Sequence, residues 1–381
     1  MAYWVLPAFL ASLGAGPEKL GLIEGIAESV ASFAKLFSGY LADRFERRKP
    51  LVVSGYFVAN TVKPLLALVT SWWQVLVVRF ADRLAKGVRG APRDVMLTES
   101  VPKEKVGAAF GLLQSMDSAG AIAGPLLALW ILRRGELRDV FRFAIVPGAL
   151  SMLIAFFFIR EKRKAPTLQA TTDNNRGRTL VPPVAPPSSL PASFYYALVV
   201  ITLFSLGNSS DMFLVLRAQS AGILPVYAPL LGLIFNITYT ALSWPAGHLS
   251  DKLSRRTVAA AGYVVFAGVY FVFALAPSKA ALWGAMATYG LFYALTAPVL
   301  KALVSDTVRP EVRGRAFGIY YFVTSIATLA ASLITGELWK AMGAAVPFYL
   351  SSGLAVIAAV LLLMPFGGRR SLRQADKKPG S

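Results

Sequence analysis

The sequence has no cysteine and one histidine, His248. Disulfide and thiol chemistry and a His-cluster metal site are therefore closed to it. Charge is scarce as well. Asp, Glu, Lys and Arg make up 15% of the 381 residues, against about 25% in a soluble domain. Acid is scarcer than base, with 20 Asp+Glu against 39 Lys+Arg, a formal net charge of +19. No Gly-rich loop ends in Lys-Ser/Thr, which argues against direct drive by ATP. No Ser/His/Asp or metal-ligand spacing is present either. These absences point away from an enzyme and from any bound cofactor or metal. No cleavable signal is visible, so the first apolar segment is expected to direct insertion itself.

What is abundant is apolar. Hydrophobic residues make up 56% of the chain, and the mean hydropathy is +0.57. They cluster into runs such as Ala144 to Ile159 and Val346 to Phe366. A bilayer core needs about 20 apolar residues per helix. Lipid offers the backbone no hydrogen-bond partners, so only helices or closed barrels cross it. Barrel strands are short and alternate, whereas these runs are long and do not. The fold class is therefore an all-α membrane protein. A soluble chain this basic would suggest nucleic acid. Here the bases fall mostly in the loops after every second span, the pattern of cytosolic loops. One outer segment is discordant, with Arg133, Arg134, Arg138 and Arg142, and contact with anionic lipid is its expected role.

Twelve spans are predicted: 1–13, 20–41, 51–69, 72–85, 108–132, 141–159, 194–216, 226–249, 258–276, 280–304, 315–338 and 345–366. Both termini then lie in the cytosol. The organisation is an N-terminal six-helix half (1–159), a cytosolic linker (160–193), a C-terminal six-helix half (194–368) and a basic cytosolic tail (369–381). The linker is polar and rich in Pro, so it cannot bury enough apolar surface to order itself.

An internal repeat supports this division. Gly39-Tyr-Leu-Ala-Asp43-Arg44-Phe-Glu-Arg47-Arg48 returns as Gly247-His-Leu-Ser-Asp251-Lys252-Leu-Ser-Arg255-Arg256, 208 positions later. Glu104, Gly107, Ala109, Phe110 and Gly111 return as Glu311, Gly314, Ala316, Phe317 and Gly318, at an offset of 207. The physical reading is a conformational latch. Gly39 and Gly247 let neighbouring helices approach closely. Asp43, at a helix end among Arg44, Arg47 and Arg48, can pair with an Arg across a helix interface; so can Asp251, beside Arg255 and Arg256. The plainer reading of the bases is positive-inside anchoring. Asp251 has fewer charges around it and is expected to be the weaker of the two.

The doubled Gly-x-x-x-Asp-Arg/Lys-x-x-Arg-Arg element resembles the signature loop of the major facilitator superfamily, and the resemblance covers essentially the whole chain. It implies two pseudo-symmetric halves that alternate access to a central site. Glu46 departs from the family, which usually has Gly there. Gly120-Ala-Ile-Ala-Gly124-Pro125-Leu-Leu-Ala128 is similar to an element of proton-coupled exporters, although small residues four apart also serve generic helix packing. Arg79 matches an Arg of the drug/proton antiporter branch, with Asp82 in place of the Gln that usually follows.

Ionisable residues inside spans are costly and usually mark a pathway. The proton-coupling candidates are Glu24, Glu28, Asp117, Asp211, Arg79 and Asp82. The alternative is that each acid neutralises a base, Glu28 with Lys35, or Asp117 with Arg79 or Lys63. Arg83 and Lys86 are expected to snorkel toward the cytosolic surface. Substrate-binding candidates are Lys35, Lys63, Asn208, Asn236, Tyr239, Tyr289, Tyr293 and Tyr321, although Tyr also serves as an interfacial anchor.

The expected function is secondary active transport, with export of a small organic solute in exchange for protons. The expected setting is a monomer in the plasma (inner) membrane, in contact with lipid and with no nucleic-acid partner. Two alternatives stay open: uptake of a small anionic or metal-chelate solute, resting on Lys35, Lys63, Arg79 and Arg217, and a non-transporting membrane receptor. Neither substrate identity nor direction can be read from the residues. The first span, Met1 to Leu13, is short for roughly 30 Å of hydrocarbon at about 1.5 Å per residue. It therefore reads as a truncated helix.

Overall fold

The computed structural model describes residues 6, 9–15, 17–45, 47–159, 161, 189–224 and 227–364. Most of the expected linker, the basic tail, Glu46 and the start of the first span lie outside the described residues. Among the described residues the regular structure is entirely helical. We number the helices α1 (Pro17–Arg44), α2 (Lys49–Leu65), α3 (Trp72–Ser100), α4 (Val106–Leu132), α5 (Leu137–Phe143), α6 (Ile145–Phe158) and α7 (Ala192–Gly207). They continue as α8 (Met212–Ser220), α9 (Ala228–Lys252), α10 (Arg255–Leu275), α11 (Lys279–Thr307), α12 (Arg313–Met342) and α13 (Val346–Leu363).

Seven described segments are long and apolar enough to cross a membrane: 103–132, 137–158, 192–220, 255–275, 279–307, 310–342 and 346–363. Helix α9 is not among them, its apolar residues being interrupted by Asn236, Thr238, Thr240, Ser243 and His248, nor are three helices of the first unit. Helix α2 has 17 residues, and α1 and α3 carry several charges along their length. Helix α3 runs 29 residues, well past the expected end at Ala85, because its last turns continue beyond the apolar stretch.

The chain clusters into two compact units. One comprises Met1–Ser100, Ala128–Leu190 and Val308–Ile319. In it α3 is the central helix, packed by α1 and α2, and α2 also packs on α6. The other comprises Val101–Leu127, Pro191–Thr307 and Tyr320–Ser381. Its core is aromatic: Tyr263, Phe266, Tyr270, Phe273, Tyr289 and Phe292 are all nearly fully buried. There α11 packs on α9 and α10, and α13 on α10 and α7.

Two helix ends show how local chemistry sets the fold. Helix α10 stops before Ala276, a non-Gly residue with φ 45°, whose own N–H caps the Val272 carbonyl at 2.8 Å; the last carbonyls of a helix otherwise lack partners within it. Arg217 supplies them, donating to Phe273 O and Ala274 O at 2.9 Å each. Arg138 does the same beyond α2, donating to Ala67 O at 2.8 Å and Val69 O at 3.1 Å. This accounts for part of the discordant outer charge. Of the remaining bases there, Arg142 pairs with Asp139 at 2.8 Å, and Arg134 lies over the Trp130 ring.

Candidate functional site

The two repeated aspartates occupy equivalent places. Asp43 ends α1 and accepts the backbone N–H of Gly314 at 2.7 Å and of Arg315 at 2.9 Å. Those amides open α12, where the first N–H groups have no intrahelical partner and the helix dipole favours negative charge. The Arg315 side chain adds an ion pair at 3.4 Å. Asp251 ends α9 and accepts the N–H of Gly107 and of Ala108, each at 2.8 Å, at the start of α4. Arg255 reaches it at 3.4 Å. The principal partners are thus backbone amides, with the expected Arg secondary. The two aspartates have matching donors, and Asp251 is the more buried, its side chain 3% exposed against 9% for Asp43. The expectation that Asp251 is the weaker has no support in this geometry.

The glycines act as the sequence suggests. A Cβ on Gly39 would fall on the Gly314 carbonyl, and one on Gly247 on the Gly107 carbonyl. Not all the neighbouring bases touch these aspartates. Arg44 and Arg47 are exposed, as anchoring bases would be. Arg256 lies over the Tyr196 ring. Arg48 is buried, donates to Ala42 O at 2.6 Å and pairs with Glu99 at 2.5 Å. Arg255 pairs with Asp306 at 2.7 Å.

A second constellation joins α1, α2 and α3. Arg79 meets Glu24 at 2.5 Å and Asp82 at 3.5 Å. Lys63 meets Asp82 at 3.2 Å. Arg83 meets Glu28 at 3.3 Å and Glu24 at 3.6 Å. Five of the residues singled out from sequence thus form one chain of alternating charge. Its link to Glu28 is Arg83, the residue expected to snorkel, in place of Lys35. Arg79 and Asp82 are its most enclosed members, with side chains 9% and 7% exposed. Beside it opens a cavity of about 390 Å³, lined by Lys63, Arg79, Arg83, Lys86 and Arg89, with Asp82 the one acid among the described residues that line it.

A third constellation lies in the other unit. Asp211 lies in the break between α7 and α8 and accepts the hydroxyls of Tyr289 at 2.8 Å and Tyr293 at 3.2 Å. The Tyr293 ring packs on Tyr239 and Phe235, with centroids 5.3 and 5.2 Å away. Asp117 is close enough to Tyr239 for its charge to act there. Lys301 lies over the rings of Phe110 and Tyr321.

The remaining candidates are placed as follows. Asn236 donates to Gly232 O one turn back in its own helix. The Lys35 stem lies against α3, close to Gly90. Sequence reasoning missed Glu99, although it stands 207 positions before Asp306, the same offset as the second loop repeat. It also missed Asp94, fully buried and reached by Arg93 at 3.1 Å. Nothing in the sequence separates Asp94 from a surface acid.

The chain matches the Major Facilitator Superfamily profile over residues 1–222 and 197–380. It is 35% identical to the uncharacterized MFS-type transporter MJ1317 of Methanocaldococcus jannaschii, across 94% of this chain and 89% of that protein. It is 25% identical to the multi-drug resistance efflux pump PmrA of Streptococcus pneumoniae, across 95% of this chain and 90% of the pump. Among solved structures, that of the human organic anion transporter MFSD10 (TETRAN) superposes with a TM-score of 0.75 at 16% identity, over 95% of this chain and 88% of that one. At that identity the likeness concerns the fold alone.

Proposed function

We propose that this chain, which belongs to the Major Facilitator Superfamily, exports a small organic solute in exchange for protons. The observation that carries this reading is the chain of alternating charge from Glu28 through Arg83, Glu24, Arg79 and Asp82 to Lys63. Stability alone does not favour its enclosed members, Arg79 and Asp82, because replacing buried ion pairs by apolar residues is often neutral or stabilising. A row of acids sharing bases can pass a proton from one carboxylate to the next as the pairing changes. The likeness to an efflux pump supports the outward direction.

In this reading twelve helices form two six-helix halves, with the linker and both termini in the cytosol. A single chain in the inner membrane alternates access to a central site. The aspartate latches hold one of the alternating states, and Glu24, Glu28, Asp82, Asp117 and Asp211 are the carboxylates available to protons. Tyr239, Tyr293 and Tyr321 serve as wall groups of the site.

A second reading, uptake of a small anionic or metal-chelate solute, is favoured by the base-lined cavity beside Asp82. One experiment separates the two. Proteoliposomes with an imposed pH gradient are scanned against a compound library for solute movement and for the accompanying proton flux. Counterflow of protons and a neutral or cationic solute supports export. Movement of anions alone, or no proton flux with any solute, overturns it.

A further inference from the structure

The cavity beside Asp82 has two kinds of wall, and its described lining falls within the first unit. The polar wall is one face of α3. Its bases Arg79, Arg83, Lys86 and Arg89 recur at steps of four, three and three, the spacing of side chains stacked along one side of a helix. At about 1.5 Å per residue, positions 79 to 89 run about 15 Å along the axis. The apolar wall includes Leu66, Val78, Ala144 and Pro147. Of these, Leu66 and Val78 lie toward the Trp72 end of α3, while Lys86 lies about two turns further along than Val78.

Most of the charge in the polar wall is already matched. Lys63, Arg79 and Arg83 face Asp82, Glu24 and Glu28. Both oxygens of Asp82 meet a base, Oδ1 meeting Lys63 at 3.2 Å and Oδ2 meeting Arg79 at 3.5 Å. Lys86 is different. It lines the cavity, is exposed, and makes no ion pair among the described residues. Arg83 and Arg89 stand one turn to either side of it on the same wall, and Lys35 is a further charged neighbour. The acid whose charge it feels, Asp82, is the one already shared. An ammonium among like charges inside an apolar helix bundle is costly until an anion meets it.

We propose that this cavity binds one amphiphilic organic anion, its charged head at Lys86 and its apolar body toward Leu66 and Val78. The unmatched ammonium calls for negative charge, and the flanking guanidinium groups add to the attraction. The apolar wall gives a hydrocarbon or aromatic body a surface to cover, which a bare inorganic anion would leave empty. At about 390 Å³ the cavity is near the lower end of the range for small-molecule sites, about 300–1,000 Å³, so the bound portion is small. A free metal cation would meet bases on most sides and an acid already shared by two of them. An organic acid from solution and the headgroup of an anionic lipid with part of its chain offer the same chemistry. The proposal rests on the base-lined cavity that favours the second reading, and narrows that reading from any small anion or metal chelate to an anion with an apolar body. It holds whether the occupant is carried or stays bound.

The test uses the purified full chain in detergent and radiolabelled 1-naphthoate, with acetate (a head without a body) and 1-naphthylmethylamine (the same body with opposite charge) as competitors. Naphthoate should bind saturably, near one per chain, and neither competitor should displace it. Lys86→Met should weaken binding about tenfold, the loss of one charged partner, and Lys86→Arg should recover most of it. The chain has no cysteine, so Ala144→Cys places one thiol on the cavity wall. Naphthoate should slow its labelling by a charged thiol reagent severalfold, which locates the ligand even if Lys86→Met folds poorly. Added phosphatidylglycerol separates the sources. Displacement of naphthoate by this lipid makes the occupant a lipid, and no displacement makes it a soluble acid; either supports the site. No saturable naphthoate binding together with no effect of the lipid on thiol labelling overturns the proposal, as does equal binding by wild type and Lys86→Met. Equal binding would leave anion uptake through another site standing. Conversely, liposomes that move no anion would sink the uptake reading and leave a bound anion in place.

Discussion

Asp43 and Asp251 stand 208 positions apart and make the same contact. Each ends one helix and receives the first two free amides of another, Asp43 from Gly314 and Arg315, Asp251 from Gly107 and Ala108. The donors in each case come from the second repeated loop, which returns at nearly the same offset. Each repeated aspartate is thus bound by amides of the other repeated loop type.

Removing either charge should slow transport without removing the protein. A hydrogen bond to a charged group contributes about 1.5–3 kcal/mol, and 1.4 kcal/mol is about a factor of ten. Asp43→Asn and Asp251→Asn should therefore each lower the transport rate in proteoliposomes roughly tenfold or more at near-normal expression. Equal rates for mutant and wild type would refute the latch. A much milder effect at Asp251 would mean that local charge, rather than amide geometry, sets the strength.

Close approach at the glycines can be tested on one helix. A methyl on Gly247 collides with the Gly107 carbonyl, while a methyl on Gly232 meets nothing within 4 Å. Gly247→Ala should impair transport severely and Gly232→Ala should not. Both substitutions give the helix the same intrinsic propensity of about 1 kcal/mol, so a loss at Gly247 alone isolates the contact.

Asp82 serves both Lys63 and Arg79. Breaking a fully buried pair typically costs about 3–5 kcal/mol, an upper bound here because solvent screens Lys63, 36% exposed, and Arg79 keeps Glu24. Asp82→Asn should lower the thermal midpoint, and adding Lys63→Met should recover part of the loss. No recovery in the double variant would show that the two residues are not coupled.

The proton carrier can be sought among Glu24, Glu28 and Asp117. Neutralising the carrier by Gln or Asn should abolish proton-driven transport while solute exchange persists. Full proton-coupled activity in all three single variants would mean that these acids only balance their bases.

Arg138 and Arg217 each cap carbonyls near a helix end. Arg138→Ala and Arg217→Ala should lower stability by about 1–3 kcal/mol, seen as a lower thermal midpoint. Solute preference should not change. A shift in preference with Arg217→Ala would favour the anionic-solute reading instead.

Much of this was legible because repetition and rarity are strong signals. The doubled loops located Asp43 and Asp251, and the few charges inside apolar runs located Glu24, Arg79, Asp82 and Asp211. What the residues concealed was pairing. Gly314 and Gly107 donate through backbone amides, which every residue but Pro possesses, so no side-chain pattern reveals them. Arg83 read as a snorkelling base because its depth depends on how far α3 extends, and α3 continues to Ser100. The break at Asn208 was hidden because its polar residues are short and flanked by apolar ones. The bases at Arg138 and Arg142 looked discordant because their partners, a carbonyl 71 positions away and a neighbouring acid, appear only on folding.

A clasp made chiefly of amide dipoles has a further consequence for ionic strength. Screening weakens exposed pairs of full charges over a Debye length of about 10 Å at 0.1 M salt. It does little to a shielded carboxylate bound at under 3 Å by two N–H groups, as at Asp43 and Asp251. If the two helix ends part, as the latch reading requires, water can replace those amide donors directly. Release is thus governed by how readily water reaches the helix end, so turnover should respond to osmolytes and hydration pressure far more than to added potassium chloride.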